Sequence, residues 1–214
     1  MFRNYLKIAI RSLLKQKLYS GINIFGLALG MACALLIGLW VKDELSYDHF
    51  LPDAENVYLV RVNTTSHGDI LTSSATPGPL QEAIAKDIPQ VAAVTKLDYG
   101  PELLIKVGEK SAKEKGHFAT ADFFGVFDLP TLYGDPKAAL TQPDKIVITR
   151  KVAETYFIGG SALGKTLQLD NDKIYTVGAV IEDLPTNSTL QFDWLVNWTV
   201  QEQSWQKKIG RAHV

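Results

Sequence analysis

One segment of the chain has the residue types and the spacing of a phosphate-binding loop. The pattern G-x-x-x-x-G-K-[ST] is satisfied by Gly159, Gly164, Lys165 and Thr166. In such a loop the glycines expose backbone N–H groups, the lysine binds the terminal phosphates and the hydroxyl binds Mg²⁺. That chemistry needs a buried strand before the loop and a helix after it, whereas here a helical run over 152–157 comes first and a β-prone run over 166–169 follows. We therefore interpret the segment as a glycine-rich turn and predict no nucleotide site.

The remaining candidates for chemistry lack the spacing of a catalytic or metal site. The chain has histidines at His49, His67, His117 and His213. None of them has a second metal ligand at a spacing typical of a zinc site. The segment Asp170-Asn171-Asp172 resembles the start of a calcium loop but lacks the following glycine and the distant glutamate, so it indicates a hairpin turn. We predict no metal, no cofactor and no enzymatic activity.

The element that dominates the organisation of the chain is an uncharged apolar run over residues 18–41. A helix of that length measures about 36 Å, enough to cross a bilayer core of roughly 30 Å. A cleaved signal peptide is the alternative, but its apolar core ends after about 7 to 15 residues, and this run continues past Ala32-Cys33-Ala34. Lipidation at Cys33 is disfavoured because Gly30 stands where a branched aliphatic residue is needed. We predict an uncleaved transmembrane helix over 18–41.

The charges around this run predict its orientation. Five basic residues precede it, with no acidic residue among them: Arg3, Lys7, Arg11, Lys15 and Lys17. Asp43, Glu44 and Asp48 follow it. Positive charge is retained on the cytoplasmic side of membranes, so we predict a cytoplasmic N-terminus and an extracytoplasmic domain after residue 41. Residues 1–17 are predicted to form a basic amphipathic helix, which lies either on anionic lipid or on a cytoplasmic protein.

The apolar run also carries small residues at every fourth position. They are Gly26, Gly30, Ala34 and Gly38, which fall on one face of a helix. Small side chains let two helix backbones approach closely within lipid, so this face predicts a packing site for another membrane helix. The alternative is that glycine is simply frequent in membrane helices.

Composition excludes several functional classes for the rest of the chain. The chain has 22 basic and 23 acidic residues, and five of the basic ones stand before the apolar run, so the remainder is net acidic. A net acidic surface disfavours nucleic-acid binding. The single cysteine, Cys33, lies in the apolar run, so we expect neither disulfides nor thiol chemistry outside the membrane. The extracytoplasmic domain is long enough for a packed hydrophobic core, which must provide its stability.

Residues 42–205 show short β-prone runs that alternate irregularly with helical ones. The sequence predicts strands over 57–62, 91–98, 102–107, 145–149, 166–169 and 174–181. It predicts helices over 80–88, 122–126 and 150–157, the first started by Pro79 and the second capped by Thr120, and a loop over 64–79. Regular βαβ alternation is absent. The predicted fold class is therefore α+β, with one N-terminal transmembrane helix followed by a mixed α+β extracytoplasmic domain.

Groups of residues along nearly the whole chain resemble one transporter family. They are Asn4-Tyr5-Leu6-Lys7, Tyr47-Asp48-His49-Phe50, Thr76-Pro77-Gly78-Pro79, Phe123-Phe124, Gly134-Asp135-Pro136, Tyr156-Phe157 and Pro185-x-Asn187-Ser188. In this order and spacing they are similar to the start of bacterial FtsX-like or MacB-like ABC transporter permease subunits, of the type found in Bacteroidetes. Asn56 and Leu59 depart from the pattern, since arginines are expected at these positions.

The resemblance implies a permease whose first helix leads into a MacB-like periplasmic core domain. Such a subunit lies in the bacterial inner membrane and works with a cytoplasmic ABC ATPase, which is expected to be a separate polypeptide. The implied mechanism is mechanotransmission, in which ATP hydrolysis moves the helices and reshapes the periplasmic domain for export or extraction of a substrate. The implied partners are the ATPase, other permease helices or a second permease subunit, and membrane lipid, with no nucleic acid.

Two further expectations follow from the sequence. A single-span extracytoplasmic sensor or scaffold is the alternative function, although residues 1–17 are too few to fold into a cytoplasmic output domain. Residues 206–214 are expected to be a non-native or truncated tail, because Ile209-Gly210-Arg211-Ala212-His213-Val214 resembles the translation of a sequencing adapter.

Overall fold

The computed structural model describes residues 2–201 of the chain. The chain divides between Tyr47 and Asp48 into two compact units, an N-terminal helical unit and a core domain rich in β-structure. The mixed α+β class predicted from the sequence is confirmed. The predicted tail over 206–214, which includes His213, lies outside the described residues.

The N-terminal unit contains two helices, α1 over Phe2–Lys15 and α2 over Lys17–Glu44. The helices are interrupted at Gln16, whose φ of −113° and ψ of 58° lie outside the helical region. Lys17 therefore begins α2, whereas the sequence prediction placed it in the first helix. Among the described helices, α2 is the one that is long and apolar enough to cross a membrane, and none of its residues is buried in the chain. The predicted span over 18–41 lies within it.

The first strands of the core domain form a separate hairpin, β1 over Val62–Ser66 and β2 over Asp69–Ser73. His67 and Gly68 turn the chain between them, both with positive φ. The predicted strand over 57–62 and the predicted loop over 64–79 are wrong, since residues 57–61 lie outside any strand and pairing begins at Val62. The apolar composition of 57–61 favours β-structure, but a strand also needs a partner, which composition does not reveal.

A seven-stranded mixed sheet forms the centre of the core domain. Its strands are β3 over Glu102–Val107, β4 over Lys110–Ala119, β5 over Thr131–Gly134, β6 over Lys145–Thr149, β7 over Thr166–Leu169, β8 over Lys173–Ile181 and β9 over Trp194–Asn197. They are hydrogen-bonded in the order β5-β8-β6-β9-β4-β3-β7. Because β7 pairs with both β3 and β8, the strands from β8 round to β7 close into a ring, and β5 extends the sheet from β8. The pairs β4–β9 and β6–β8 are parallel and the others are antiparallel.

Short helices connect successive strands of the core domain. They are α3 over Leu80–Asp87, α4 over Phe123–Val126, α5 over Pro136–Leu140 and α6 over Arg150–Tyr156. The central strand β6 shows how the two faces divide, since Ile146 and Ile148 pack in one hydrophobic cluster and Val147 packs in the other. The first cluster includes Val152 of α6 and the second includes Leu140 of α5. A strand buried on both faces has a continuous apolar sequence, as β6 does.

The element predictions are confirmed where local signals are strong. The strands over 102–107, 145–149 and 166–169, the turn at 170–172, and helices close to 80–88 and 150–157 are present. The predicted strand over 91–98 is wrong, because only Leu97 makes an isolated bridge there, to Ala119. α4 begins after Asp122 and not at a Thr120 cap. The sequence prediction omits β4, β5, β9 and α5, because β4 is rich in lysine and the others are very short.

Candidate functional site

The small-residue face of α2 is open surface in this chain. A Cβ atom added at Gly26, Gly30 or Gly38 would meet no atom within 4 Å beyond the surrounding helix backbone. Ala34 on the same face is exposed. Within lipid, such a face contacts either acyl chains or the backbone of another helix. Packing against a second helix stays a prediction, because no other atom of the described chain lies against these glycines.

The predicted basic residues lie on the two N-terminal helices. Lys7, Arg11 and Lys15 are exposed residues of α1, Arg3 belongs to the same helix, and Lys17 begins α2. Apolar side chains of α1 are exposed as well: Tyr5, Leu6, Ile8, Ile10, Leu13 and Leu14. α1 therefore presents both an apolar and a basic surface, which suits the interface of an anionic membrane. Contact with lipid or with a cytoplasmic protein stays a prediction.

The core domain begins at Asp48, shortly after α2 ends at Glu44. Asp48 has a φ of 58°, in the left-handed region that turns the chain sharply. Its N–H donates to the carbonyl oxygen of Asn187 at 3.0 Å. Its Oδ1 accepts a hydrogen bond from the N–H of Thr189 at 2.8 Å and lies 3.3 Å from the hydroxyl oxygen of Ser188. We call these four residues the entry clamp, in which one half-buried aspartate holds three consecutive residues of a distant connection.

The connection held by the entry clamp is itself firmly packed. It joins β8 to β9 over residues 182–193. Ser188 is buried and its hydroxyl donates to the carbonyl oxygen of Leu190 at 2.8 Å, while the side-chain amide of Gln191 donates to that of Pro185 at 2.6 Å. Leu190 also packs against the hydrophobic cluster that contains the buried Leu51. The segment that follows α2 is thus attached to a hydrogen-bonded connection of the core domain.

The sequence prediction missed the entry clamp. Its two halves belong to the groups Tyr47-Asp48-His49-Phe50 and Pro185-x-Asn187-Ser188, which carry the family resemblance. Asp48 and Ser188 stand 140 positions apart, and nothing in the sequence shows that they meet. The sequence held only a weak signal for this contact. Each group places polar residues beside apolar ones, and a carboxylate that becomes half-buried beside apolar residues requires hydrogen-bond donors.

The glycine-rich turn at 159–166 has the opposite topology to a phosphate-binding loop. α6 precedes it and β7 follows it, which confirms the predicted order. The N–H of Gly164 donates to the carbonyl oxygen of Val177 at 2.9 Å, and the N–H of Lys165 donates to that of Ala162 at 3.1 Å. These amides are therefore committed within the domain and do not face a ligand. The Lys165 ammonium lies 5.7 Å from the centre of the Phe157 ring, a cation–π contact that stabilises the turn.

A cluster of polar side chains fastens α6 to the sheet. The Lys151 ammonium lies 2.9 Å from Asp193 and 3.4 Å from Glu114, and the Tyr156 hydroxyl donates to Glu114 at 3.3 Å. The hydrogen bond to Asp193 raises the pKa of Lys151 despite partial burial. Burial and then the charge of Glu114 raise the pKa of Tyr156 to about 12. Both groups therefore stay protonated at neutral pH, and their hydrogen bonds to the two carboxylates hold α6 in place.

The other candidates for ligand chemistry are also parts of the structure. His117 is buried, and its Nδ1 lies 2.9 Å from Oδ1 of Asp98, which also accepts from the N–H of Phe118 at 3.2 Å. At the calcium-like segment, Asp170 and Asn171 both have a φ of 54°, the geometry of a tight hairpin turn. Within residues 2–201, no group of three or more His, Cys, Asp or Glu residues could hold a metal ion.

Several solved structures are similar to this chain. A domain of a Porphyromonas gingivalis protein described as a permease is 29% identical, with a TM-score of 0.55, over 66% of this chain and 61% of that chain. The periplasmic region of MacB from Actinobacillus actinomycetemcomitans is 16% identical, with a TM-score of 0.43, over 56% of this chain and 55% of that chain. The extracellular domain of the noncanonic ABC-type transporter YknZ from Gram-positive bacteria is 16% identical, with a TM-score of 0.43, over 55% and 62%. Among curated proteins, none matches.

The family profile described as the MacB-like periplasmic core domain matches residues 20–212, which is most of the chain. This domain is a non-enzymatic component of its transporters. Together with the apolar helix α2, it indicates a membrane-anchored extracytoplasmic domain. The resemblance found in the sequence is confirmed, and the chain belongs to the family of MacB-like periplasmic core domains of ABC-type transporter permeases.

Proposed function

We propose that this chain is part of the permease subunit of an ABC transporter in the bacterial inner membrane. ATP hydrolysis by a separate cytoplasmic ATPase moves the membrane helices, and this movement reshapes the periplasmic domain for export or extraction of a substrate. The observation that carries the proposal is the family match over residues 20–212, which includes most of the candidate membrane helix and most of the core domain.

Co-purification tests the ATPase partnership. The full-length gene is expressed with an affinity tag on the permease, together with the ATPase gene beside it, and the membrane complex is isolated in detergent. We expect the ATPase to co-purify and its ATP turnover to change when the permease is present. A full-length protein with one membrane span and no associated ATPase would support the alternative, a membrane-anchored extracytoplasmic sensor or scaffold.

The proposal also includes a cytoplasmic N-terminus, which the basic residues before α2 support. Single cysteines replace the exposed residues Ser12 of α1 and Ser111 of β4 in a Cys33→Ala background. A membrane-impermeant maleimide should label the Ser111→Cys variant in spheroplasts, and the Ser12→Cys variant only after permeabilisation. The opposite labelling pattern would contradict the orientation.

We propose that α1 lies on anionic lipid at the cytoplasmic surface, or on the ATPase. Its charge supports both partners, because α1 carries basic residues and no acidic residue. A photo-crosslinking amino acid at the exposed position of Leu6 distinguishes the two partners. Crosslinks to phospholipid support the membrane surface, and crosslinks to the ATPase support a docking contact.

We propose that the small-residue face of α2 packs against another permease helix or a second permease subunit. Gly30→Leu should reduce co-purification of differently tagged subunits, or loosen the helix bundle of one subunit. Leu29→Ala is the matched control, because Leu29 is the adjacent residue and lies on a different face. Among the described residues, no atom beyond the surrounding helix backbone lies within 4 Å of a Cβ at Gly30, so a specific effect there would report a partner.

A further inference from the structure

We infer that the core domain binds a carboxylate attached to an apolar group, in a cleft beside the glycine-rich turn. Two sources present this chemistry, the C-terminus of a peptide with an apolar last residue and a free apolar carboxylic acid. The inference goes beyond the proposed function and does not depend on it, because every residue that carries it belongs to the core domain.

The cleft lies where the ring of strands begins to open. Strands β3 and β7 form two residue pairs, and the last of them joins Lys106 to Gln168. Beyond this pair, Val107 of β3 and Thr166 of β7 line a cleft with a volume of about 500 Å³. Sites for small molecules commonly have volumes of roughly 300 to 1,000 Å³. The gap between the two strands therefore has room for a small ligand.

The floor of the cleft is apolar. Tyr156 and Phe157, at the end of α6, line the cleft and are buried members of a hydrophobic cluster, against which Val107 packs. Ile158 also lines the cleft and is 76% exposed. Contact with an apolar ligand would remove this side chain from water, which is favourable. The floor therefore suits the apolar part of a ligand.

One cation lies over this floor. The Lys165 ammonium is 5.7 Å from the centre of the Phe157 ring. It is also 3.4 Å from the position of a Cβ atom added at Gly160, so the side chain folds back over the turn. In the part of the chain that the structure describes, no ion pair involves Lys165. Its positive charge is therefore available to an anionic ligand.

The charges next to the cleft do not oppose an anion. The carboxylate bonded to the floor is Glu114, which accepts from the Tyr156 hydroxyl, and the Lys151 ammonium lies 3.4 Å from it and offsets its charge. A further ammonium, that of Lys110, donates to the carbonyl oxygen of Thr155 at 2.8 Å, at the same end of α6.

The donors of the cleft match a carboxylate better than a chain of phosphates. The amides of Gly164 and Lys165 donate to carbonyl oxygens within the domain, so they do not form the cradle of N–H groups that holds phosphates. The donors that the lining leaves for a ligand are the Lys165 ammonium and the Thr166 hydroxyl, which makes no hydrogen bond among the described residues. Two adjacent donors suit the two oxygens of a single carboxylate.

Fluorine NMR tests the site in the full chain, held in nanodiscs of zwitterionic lipid, with empty nanodiscs as the blank. The probe is N-acetyl-para-fluorophenylalanine, which combines a carboxylate with an aromatic ring, and its carboxamide is the matched neutral ligand. Lys165→Met removes the charge and keeps the length of the side chain, and Thr166→Val removes the hydroxyl. Lys173→Met is the control, because Lys173 is exposed and lies outside the lining of the cleft.

We expect the carboxylate probe to bind with a Kd of about 1 mM, and the carboxamide about fivefold more weakly. Lys165→Met should abolish this preference, Thr166→Val should weaken binding of the carboxylate about twofold, and Lys173→Met should match the wild type. If Lys165 served only as the cation–π partner of Phe157, Lys165→Met would lower the unfolding temperature, and the wild type would bind both ligands equally.

The comparison of carboxylate with carboxamide needs no variant, so the inference can be tested even if Lys165→Met fails to fold. Equal binding of the two ligands by the wild type, or no binding of either up to about 10 mM, would overturn the inference. Displacement of the probe by inorganic phosphate at about 1 mM would also overturn it, because it would show a site for phosphate.

Two further ligands distinguish the sources of the carboxylate, an acetylated tripeptide that ends in phenylalanine, and phenylacetate. Tighter binding of the tripeptide than of the probe supports a peptide C-terminus, and tighter binding of phenylacetate supports a free acid. None of these outcomes bears on the ATPase partnership, so failure of the inference would leave the proposed function intact.

Discussion

No residue of helix α2 is buried by the chain, whereas in strand β6 every residue after Lys145 is buried. α2 satisfies its backbone hydrogen bonds within itself, as a membrane helix must. β6 depends on β8 and β9, which come later in the chain. The helix therefore keeps its structure when single side chains change, while the core domain depends on contacts between distant residues. The same substitution should have different consequences in the two regions.

The largest difference in stability change between the core domain and α2 is expected for phenylalanine-to-alanine substitutions. Phe123 is fully buried and lies edge-on to Phe124 and Phe192, with ring centres 5.0 Å and 5.8 Å away, whereas Phe25 of α2 is 71% exposed. Phe123→Ala should lower the free energy of unfolding of the core domain by about 4 kcal/mol, because it leaves a cavity. Phe25→Ala should change it by about 0.5 kcal/mol or less. Urea denaturation of the full chain in detergent, followed by near-UV circular dichroism, measures both changes in unfolding free energy. Losses of equal size in the two variants would contradict the expected difference between the two regions.

The second-largest difference in stability change is expected for glycine-to-alanine substitutions. A Cβ atom at Gly116 would lie 2.0 Å from Cδ2 of Trp194, which is fully buried and donates through Nε1 to the carbonyl oxygen of Glu114 at 2.9 Å. Gly116→Ala should therefore cost about 3 kcal/mol of core stability through overpacking. Gly30→Ala in α2 should cost none, because its Cβ meets nothing within 4 Å.

Gly125→Ala is the control for Gly116→Ala in the same denaturation experiment. At Gly125 the nearest atom to an added Cβ is 3.6 Å away, an ordinary contact. Gly125→Ala should therefore leave stability close to that of the wild type. If Gly116→Ala were equally neutral, the close packing of β4 against Trp194 would be wrong.

Alkaline pH should destabilise the core domain. The pKa of Tyr156 is raised from 10.0 to about 12, so above pH 10 the unfolded state loses a proton that the folded state keeps. Stability then falls with rising pH by at most about 1 kcal/mol per pH unit, steepest near pH 11. The raised pKa of Lys151 acts in the same direction, since its contribution is complete below its ordinary value of 10.5 and is lost above it.

Tyr156→Phe should flatten this alkaline loss. A residual slope should remain from Tyr175, whose pKa is also raised by burial. Tyr133→Phe is the control, because Tyr133 is 58% exposed. Thermal unfolding at a series of pH values from about 9 to 11.5 measures the slope. Equal slopes in the wild type and Tyr156→Phe would mean that this tyrosine is not the group responsible.

The smallest difference in stability change is expected for the N-cap residues of the helices. Asp135 precedes α5, and its Oδ1 accepts from the N–H of Ala138 at 3.1 Å, whereas Gln16 before α2 makes no side-chain cap. Asp135→Ala should destabilise the core domain by about 1 kcal/mol. Asp135→Asn should recover most of that loss, and Gln16→Ala should have no effect. Chemical denaturation resolves differences of this size. Equal destabilisation by Gln16→Ala and Asp135→Ala would contradict the prediction that only Asp135 stabilises its helix by capping.

Two opposite errors in the strand predictions have one cause. Residues 57–61 have strong β-propensity but lie outside any strand, whereas the lysine-rich β4 is a ten-residue strand. β4 is a strand because β3 and β9 pair with it on its two sides. Propensity describes single residues, while a strand exists only through its hydrogen-bonded neighbours. Helices α3 and α6 were predictable because their hydrogen bonds close between nearby residues.

The candidate functional residues also fall into those that could be predicted from local spacing and those that could not. Gly26, Gly30, Ala34 and Gly38 could be placed on one helix face from spacing alone, because a helix has a fixed period. The entry clamp could not be predicted, because Asp48 meets Ser188 only after the strands between them have paired.

From the sequence we could predict a helix long enough to cross a membrane, the α+β class and the permease family. Apolar length, charge order and motif spacing are properties of neighbouring residues, so they can be read without a fold. The folded domain was needed to show that Asp48 holds the connection between β8 and β9, and that the amides of Gly164 and Lys165 are hydrogen-bonded within the domain. The physical reason is that these contacts join segments far apart in the chain, which the closure of the sheet brings together.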